Sequence, residues 1–215
     1  MPVGPGDRAW RGLLPLLADL PVPFEVVLSG CEPPPDDLSP AGAPASVRWC
    51  AEKTGRARQL HHGIESARTD QLWLLHADAR PSTQVLAAAA EPIAADVLGW
   101  FPLRFEPPRP AAARLNAWGA NLRSRFLGLP FGDQGWRLHR DTYQRVGGFD
   151  PDWPRGEDLE FAVRARDRGV RLERYRPTLA TSPRRYAEQG WWRTTAEHLR
   201  LTRTMWRDAR RGAGP

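Results

Sequence analysis

The sequence predicts an α/β layered domain built on a mainly parallel sheet, and three observations carry that prediction. Through the first half, short apolar runs alternate with stretches of helical periodicity, the pattern of strand–helix–strand units. The chain has 215 residues, 41% of them hydrophobic, which suits one domain with a substantial core. Turn signals rich in Pro, Gly and Asp separate the periodic stretches.

The elements follow in order. Arg8 to Leu20 places Trp10, Leu13, Leu14, Leu16, Leu17 and Leu20 near helical spacing. Phe24 to Leu28 reads as a short buried strand ended by Ser29-Gly30, and residues 31–44, with three consecutive prolines, read as a loop. Ser46 to Cys50 is a second strand, and Thr54 is the expected N-cap of a helix through Ser66. Leu72 to Leu75 is a strand leading into His76-Ala77-Asp78. Ser82 caps a helix through Ala90. Val97 to Phe105 reads as one strand, Ala111 to Phe126 as a helix, and Gly128 to Gly135 as a glycine-rich turn. Trp136 to Leu138 opens another strand. Asp141 is the expected cap of a short helix closed by Gly147-Gly148. Glu157 to Arg168 is a helix, Val170 to Tyr175 a strand, and Glu188 to about Arg210 a long basic helix.

Composition excludes several function classes. The formal charge is +6, and 30 of the 31 basic residues are arginine, Lys53 being the lysine. These arginines are interleaved with acids along the whole chain, so they form no nucleic-acid footprint. No run of about 18 apolar residues predicts a membrane span. The N-terminus carries no basic start before an apolar core, so no secretory signal is expected and the cytoplasm is the expected compartment. Cys31 and Cys50 are too few for a disulfide framework or a cysteine zinc site, and read as free thiols. His61, His62 and His76 show no spacing of a metal hydrolase.

Four segments carry candidate chemistry. In His76 to Pro81 (HADARP), Asp78 follows an apolar strand, where it serves either as a turn cap or as a carboxylate for Mg²⁺ or Mn²⁺ beside a diphosphate. In Arg155 to Phe161 (RGEDLEF), Glu157 and Asp158 occupy the first turn of a helix. They either complement the helix dipole or supply a general base. In Gly55 to Gly63 (GRARQLHHG), Arg56 and Arg58 near a helix start are either solvated or positioned for an anion. Arg140 to Phe149 (RDTYQRVGGF) is a compact capped helix that speaks of fold.

Taken in order, these segments resemble the family 2 glycosyltransferases of GT-A fold. The likeness is to a small bacterial glycosyltransferase-like subgroup, and it spans the chain from Phe24 onward. It rests on GRARQLHHG (Gly55–Gly63), LWLLHADARP (Leu72–Pro81), LPFGDQG (Leu129–Gly135), RDTYQRVGGF (Arg140–Phe149), GEDLEF (Gly156–Phe161) and SPRRYAEQGWWRT (Ser182–Thr194). The resemblance implies a GT-A-type α/β/α sandwich with a mixed, mainly parallel sheet and a truncated N-terminal strand. It implies a nucleotide-sugar donor, an acceptor hydroxyl, and an inverting, metal-dependent transfer. Asp78 matches the metal-associated Asp, with Mg²⁺ or Mn²⁺ as cofactor. Asp158 matches the catalytic base, with Glu157 beside it. Asp133 and Gln134 match the turn near the acceptor or the donor sugar. Arg56, Arg58, Arg184 and Arg185 are expected at the donor diphosphate. Ser29, standing where the family carries Asp, is the expected nucleoside contact through its hydroxyl.

Two further expectations concern organisation. Residues 1–187 form the transferase domain, and 188–215 form a basic amphipathic helix and tail that dock on the domain, with peripheral contact at the inner membrane face. Loops 104–110 and 177–190 are expected as lids over the site. The competing reading is a non-catalytic or altered relative that binds a nucleotide sugar or a protein partner.

Overall fold

The computed structural model describes residues 1–38, 41–44, 46–106, 111–153 and 155–182. In chain order these form β1 (Pro2–Val3), α1 (Trp10–Leu17), β2 (Val26–Gly30), β3 (Val47–Ala51), α2 (Arg56–Ser66), β4 (Gln71–Leu74), β5 (Ala79–Arg80), α3 (Thr83–Ala90), β6 (Val97–Trp100), β7 (Leu103–Phe105), α4 (Ala111–Leu127), β8 (Trp136–His139), α5 (Arg140–Val146), α6 (Glu157–Asp167), β9 (Arg171–Arg174) and β10 (Leu179–Thr181).

The strands form three sheets. The first, in the order β1-β2-β3, is parallel throughout. The second, β4-β8-β6-β9, is antiparallel at both β8 pairings and parallel between β6 and β9. The third, β5-β10-β7, joins β10 antiparallel to β5 and parallel to β7. The sheet is therefore mixed. Helices cover both faces: Leu13 and Leu14 of α1, with Val85 and Leu86 of α3, pack against Leu28 and Phe101 in one core cluster. On the other side Leu60 of α2, Tyr143 of α5 and Phe161 of α6 pack against Leu98, Trp136 and Leu138. This is the layered α/β class that the alternating periodicity predicts, in the α/β/α form that the resemblance implies.

Several element boundaries differ from the sequence reading for local reasons. The run Val97 to Phe105 is two strands in different sheets, because Pro102 has no N–H for a ladder and the chain turns there. The Phe101 N–H instead donates to the Gln134 carbonyl at 2.9 Å, and the Pro102 carbonyl accepts from Leu179 at 2.8 Å. Gly55, not Thr54, is the N-cap of α2. The N-cap of helix α5 lies two residues earlier than expected, at His139: the His139 Nδ1 accepts from the Asp141 N–H at 3.1 Å. The Ser82 cap on α3 is as expected, its Oγ accepting from the Val85 N–H at 3.4 Å. Helix α5 also ends as expected: Gly147, at φ 90°, takes the left-handed conformation. Residues 188–215 lie outside the described residues, and with them the proposed C-terminal helix.

The expected lids are partly sheet. Leu179–Thr181 is a fully buried strand zipped between Ala79–Arg80 and Leu103–Phe105, so neither 104–110 nor 177–190 is simply a loop. Residues 107–110 and 183–190 are outside the described set.

Leu138 lies at the centre of the second sheet, fully buried and cross-paired with both Leu72 and Leu98. Truncation to alanine removes packing that neighbours on two strands cannot refill. Leu138→Ala is expected to cost about 2–5 kcal/mol of unfolding free energy, read as a lower midpoint in urea with unchanged slope.

Candidate functional site

One edge of the second sheet gathers most of the candidate residues. Strand β4 runs out at Leu74 into His76 and the half-buried Asp78. Strand β8 is antiparallel to it, with Leu74 opposite Trp136, so the turn preceding β8 lies at the same edge. That turn is a short 3-10 helix, Gly132–Gln134. The N-terminus of α6 supplies Glu157 and Asp158, and the N-terminus of α2 supplies Arg56.

Arg56 is the hub. Its Nε lies 3.2 Å from Glu157 Oε1, and its Nη1 lies 3.8 Å from Asp158 Oδ2. Its Nη2 contacts His76 Nε2. Asp133 and Asp78 add further negative potential at the same guanidinium, which together with Glu157 and Asp158 raises its pKa against the cost of burial. Arg56, expected at a diphosphate, is thus engaged by acids of its own chain.

Asp158 is held by the backbone. Its Oδ2 accepts from the Gly132 N–H at 2.9 Å and its Oδ1 from the Leu159 N–H at 2.8 Å. Arg56 also packs close against Gly132: a Cβ there would stand 2.5 Å from Arg56 Nη2, so a side chain at this position requires the guanidinium to shift. Glu157 is 4% exposed, and burial pushes its carboxyl up; Arg56 opposes that shift and Asp158 adds to it.

Asp133 is half-buried beside these groups, and burial pushes its carboxyl up to about 6. Arg123 and Arg56 pull it down, while Asp158 and Asp78 push it further up. Gln134 has a different task. It is fully buried, and its Oε1 accepts from Ser124 Oγ at 2.6 Å and from the Phe131 N–H at 3.0 Å. Its Nε2 donates to Asn121 Oδ1 at 3.3 Å. Asn121 also bridges the Leu103 N–H and carbonyl. Gln134 therefore ties the turn to α4 and β7 and turns no side-chain atom to solvent.

The remaining candidates lie apart. Arg58 pairs with the exposed Asp152 in the loop before α6. Ser29 is 0% exposed within the first sheet, its hydroxyl without a hydrogen-bond partner and its carbonyl bonded to Gln59 at 2.8 Å. Its burial under α2 keeps the hydroxyl from a nucleoside in this conformation. Arg184 and Arg185 are outside the described residues. His61 bonds the Tyr143 hydroxyl at 2.8 Å and His62 lies 3.5 Å from Glu52, so the two adjacent histidines serve different neighbours.

Sequence reasoning did not single out Arg123, which stacks on the Phe131 ring at 3.5 Å and lowers the Asp133 carboxyl. Its position in α4 carries no local signal; only folding brings it to the turn. The Gly132 N–H was likewise hidden within a glycine-rich turn.

Solved structures of the same architecture are found by shape. The mannosyltransferase PcManGT from Pyrobaculum calidifontis, in complex with GDP-Man and Mn²⁺, superposes with a TM-score of 0.63 over 94% of this chain, at 17% identity. The chain has a glycosyltransferase fold, a GT-A-like sandwich. Residues 1–349 of S. aureus TarS superpose with a TM-score of 0.61 over 87% of the chain, at 15% identity. The chain spans 59% of PcManGT and 60% of that TarS fragment. No protein-family profile matches the sequence, and no curated protein matches it. Among the described residues no helix is long and apolar enough to cross a membrane.

Proposed function

We propose that this protein is an inverting glycosyltransferase, moving a sugar from a nucleotide-sugar donor to an acceptor hydroxyl. The observation that carries the reading is the convergence of Asp78, Asp133, Glu157 and Asp158 on Arg56 at one sheet edge, in a fold shared with a mannosyltransferase. Open α/β sheets bind ligands at such strand ends.

Asp158 is the proposed general base. An acceptor hydroxyl is a weak nucleophile, and a carboxylate that takes its proton during attack speeds transfer. Backbone bonds from Gly132 and Leu159 hold that carboxylate in one orientation. In-line attack at the anomeric carbon then inverts its configuration. Arg56 is the positioning residue between Glu157 and Asp158. Asp133 stands at the turn as a contact for donor sugar or acceptor. Arg184 and Arg185 are the proposed diphosphate partners.

A divalent cation suits this donor set in one way only. Among the described residues no group of three or more His, Cys, Asp or Glu is arranged to hold a metal by itself. Asp78 offers a single hard oxygen ligand, the situation of Mg²⁺ or Mn²⁺ shared between one carboxylate and a diphosphate. Bound there, the cation would neutralise charge developing on the leaving group. The Mn²⁺ bound with GDP-Man in PcManGT supports that choice.

Calorimetry with UDP-, GDP- and dTDP-sugars, each with and without Mn²⁺, tests the reading. Binding of at least one donor that strengthens with metal, and weakens in Asp78→Asn, is expected. No binding of any donor in the presence of metal overturns it. Donor binding without transfer or hydrolysis would instead identify a non-catalytic relative.

Gly132→Ala probes the geometry. The backbone there tolerates alanine, but a Cβ would stand 2.5 Å from Arg56 Nη2, so the guanidinium must move. Transfer is expected to fall about 10²-fold, as for an ångström-scale misplacement of catalytic groups. A chain that keeps both its unfolding midpoint and its activity would show that this contact is dispensable.

A further inference from the structure

Helix α4 is amphipathic in the reverse of the usual sense. The face it turns to the domain is small and polar: Ala117 and Ser124 are buried and Asn121 is half-buried. Hydrogen bonds hold that face. Asn121 Oδ1 accepts from the Leu103 N–H at 2.7 Å, its Nδ2 donates to the Leu103 carbonyl at 2.9 Å, and Ser124 Oγ donates to Gln134 Oε1 at 2.6 Å. The large apolar side chains point the other way, with Trp118 61%, Leu122 40% and Phe126 69% exposed. A surface helix ordinarily buries such residues and turns its polar ones to water.

Trp118, Leu122 and Phe126 recur at every fourth residue, so they form one stripe within about 80° of the helix circumference. A single exposed apolar residue needs no explanation, but a contiguous stripe of an indole, a leucine and a phenyl ring marks a surface that meets something apolar. The charged border of the stripe has one sign. Arg125 flanks it, its guanidinium 5.5 Å from the Phe126 ring centre. Arg114, three turns earlier, falls on the same border by helical spacing, and the 17 residues of α4 include no Asp or Glu. A second copy of the chain would bring the same unbalanced arginines to the contact. Residues 183–215 hold eight arginines against three acids, so the chain's own C-terminal segment also carries the wrong sign to complement this border.

We propose that the exposed face of α4 docks on an anionic lipid surface, with Trp118, Leu122 and Phe126 entering the boundary between headgroups and acyl chains and Arg114 and Arg125 meeting lipid phosphates. Aromatic and leucine side chains flanked by basic ones are the composition that lies at such interfaces. The arginine border supplies the charge complementarity, since each basic group near an anionic leaflet adds to the attraction. The bonds from Asn121 and Ser124 fix the helix to β7 and to Gln134, so the stripe is presented already formed. This surface is separate from residues 188–215, and the inference does not depend on the transferase reading.

The test is co-sedimentation of the full chain with vesicles, an equal mixture of phosphatidylglycerol and phosphatidylcholine against phosphatidylcholine alone. Binding to the anionic vesicles is expected to be at least about tenfold tighter than to the neutral ones, and to fall as salt rises from about 0.05 M to about 0.5 M. The double variant Trp118→Ser/Phe126→Ser leaves residues 183–215 intact and is expected to bind the anionic vesicles at least about tenfold more weakly. Its thermal unfolding midpoint should stay within about 2 °C of the unaltered chain, because both side chains already face solvent. Arg125→Glu should weaken binding and flatten its salt dependence. No sedimentation of the unaltered chain with anionic vesicles overturns the proposal, and so does equal binding by the double variant. A larger drop in the midpoint of the double variant would show that the chain itself covers the stripe. A dimer that the double variant dissociates in sizing experiments would show that a second copy covers it. Either result overturns the lipid surface.

Discussion

Asp158→Asn is expected to lower transfer by about 10²–10⁴-fold, the usual contribution of a positioned general base. Donor binding should change little, because Asp158 is the proposed partner of the acceptor proton and Asp78 that of the metal-bound donor. The substitution has a structural cost too. Both carboxylate oxygens accept a backbone N–H, from Gly132 at 2.9 Å and Leu159 at 2.8 Å. An amide offers one oxygen and one NH₂, so one of those N–H groups meets a donor. Removing the charge also leaves Arg56 with one fewer ion partner at close range. A stability loss of about 1–3 kcal/mol is expected beside the kinetic effect. The two are separated by measuring transfer and donor affinity on the same folded sample. Parallel loss of donor affinity and rate would remove Asp158 from the role of base.

Asp133→Asn is expected to act in the opposite direction on stability. The Asp133 carboxyl is raised from 3.8 to about 6 in the folded chain, chiefly by burial. As pH rises from about 4 to 6, the unfolded chain gives up this proton before the folded chain does. Stability contributed by the protonated form is therefore present below about pH 4 and lost as pH rises through about 6. At neutral pH the folded state carries the cost of ionising this half-buried carboxylate. A shift of two units corresponds to about 3 kcal/mol. Asparagine has no such proton to lose. The variant should be more stable at pH 7 by up to that amount, and its advantage should shrink toward pH 4. Denaturant titrations at both pH values check this. An advantage that is the same at pH 4 and pH 7 would show that Asp133 ionises in the folded chain as freely as in the unfolded one. Transfer activity should fall in the same variant, since a group kept at a cost to stability beside Asp158 fits a functional role.

Local signals made much of the fold legible. Ser82 caps α3 because a hydroxyl before a helix-forming run accepts an orphan N–H, and that requires no distant partner. Gly147 ends α5 for an equally local reason, a left-handed turn. The apolar periodicity of α1 and β2 fixed which faces meet in the core. The division of Val97 to Phe105 between two sheets was also written at Pro102, although a continuous apolar run hid it.

What the sequence determined by itself was the layered α/β class, most helices and strands, and the candidacy of Asp78, Asp133, Glu157 and Asp158. What only the tertiary structure decided was who meets whom. Arg56 and Arg58, two residues apart in one motif, part company: Arg56 joins Glu157 and Asp158, and Arg58 joins Asp152. Ser29 and Gln134 look polar enough for ligand contacts, yet one is sealed under α2 and the other braces a turn. The physical reason is range. Capping and periodicity act within a few residues and can be read along the chain. Burial and ion pairing depend on contacts across dozens of residues, 26 between Gly132 and Asp158, and arise only when the chain closes on itself.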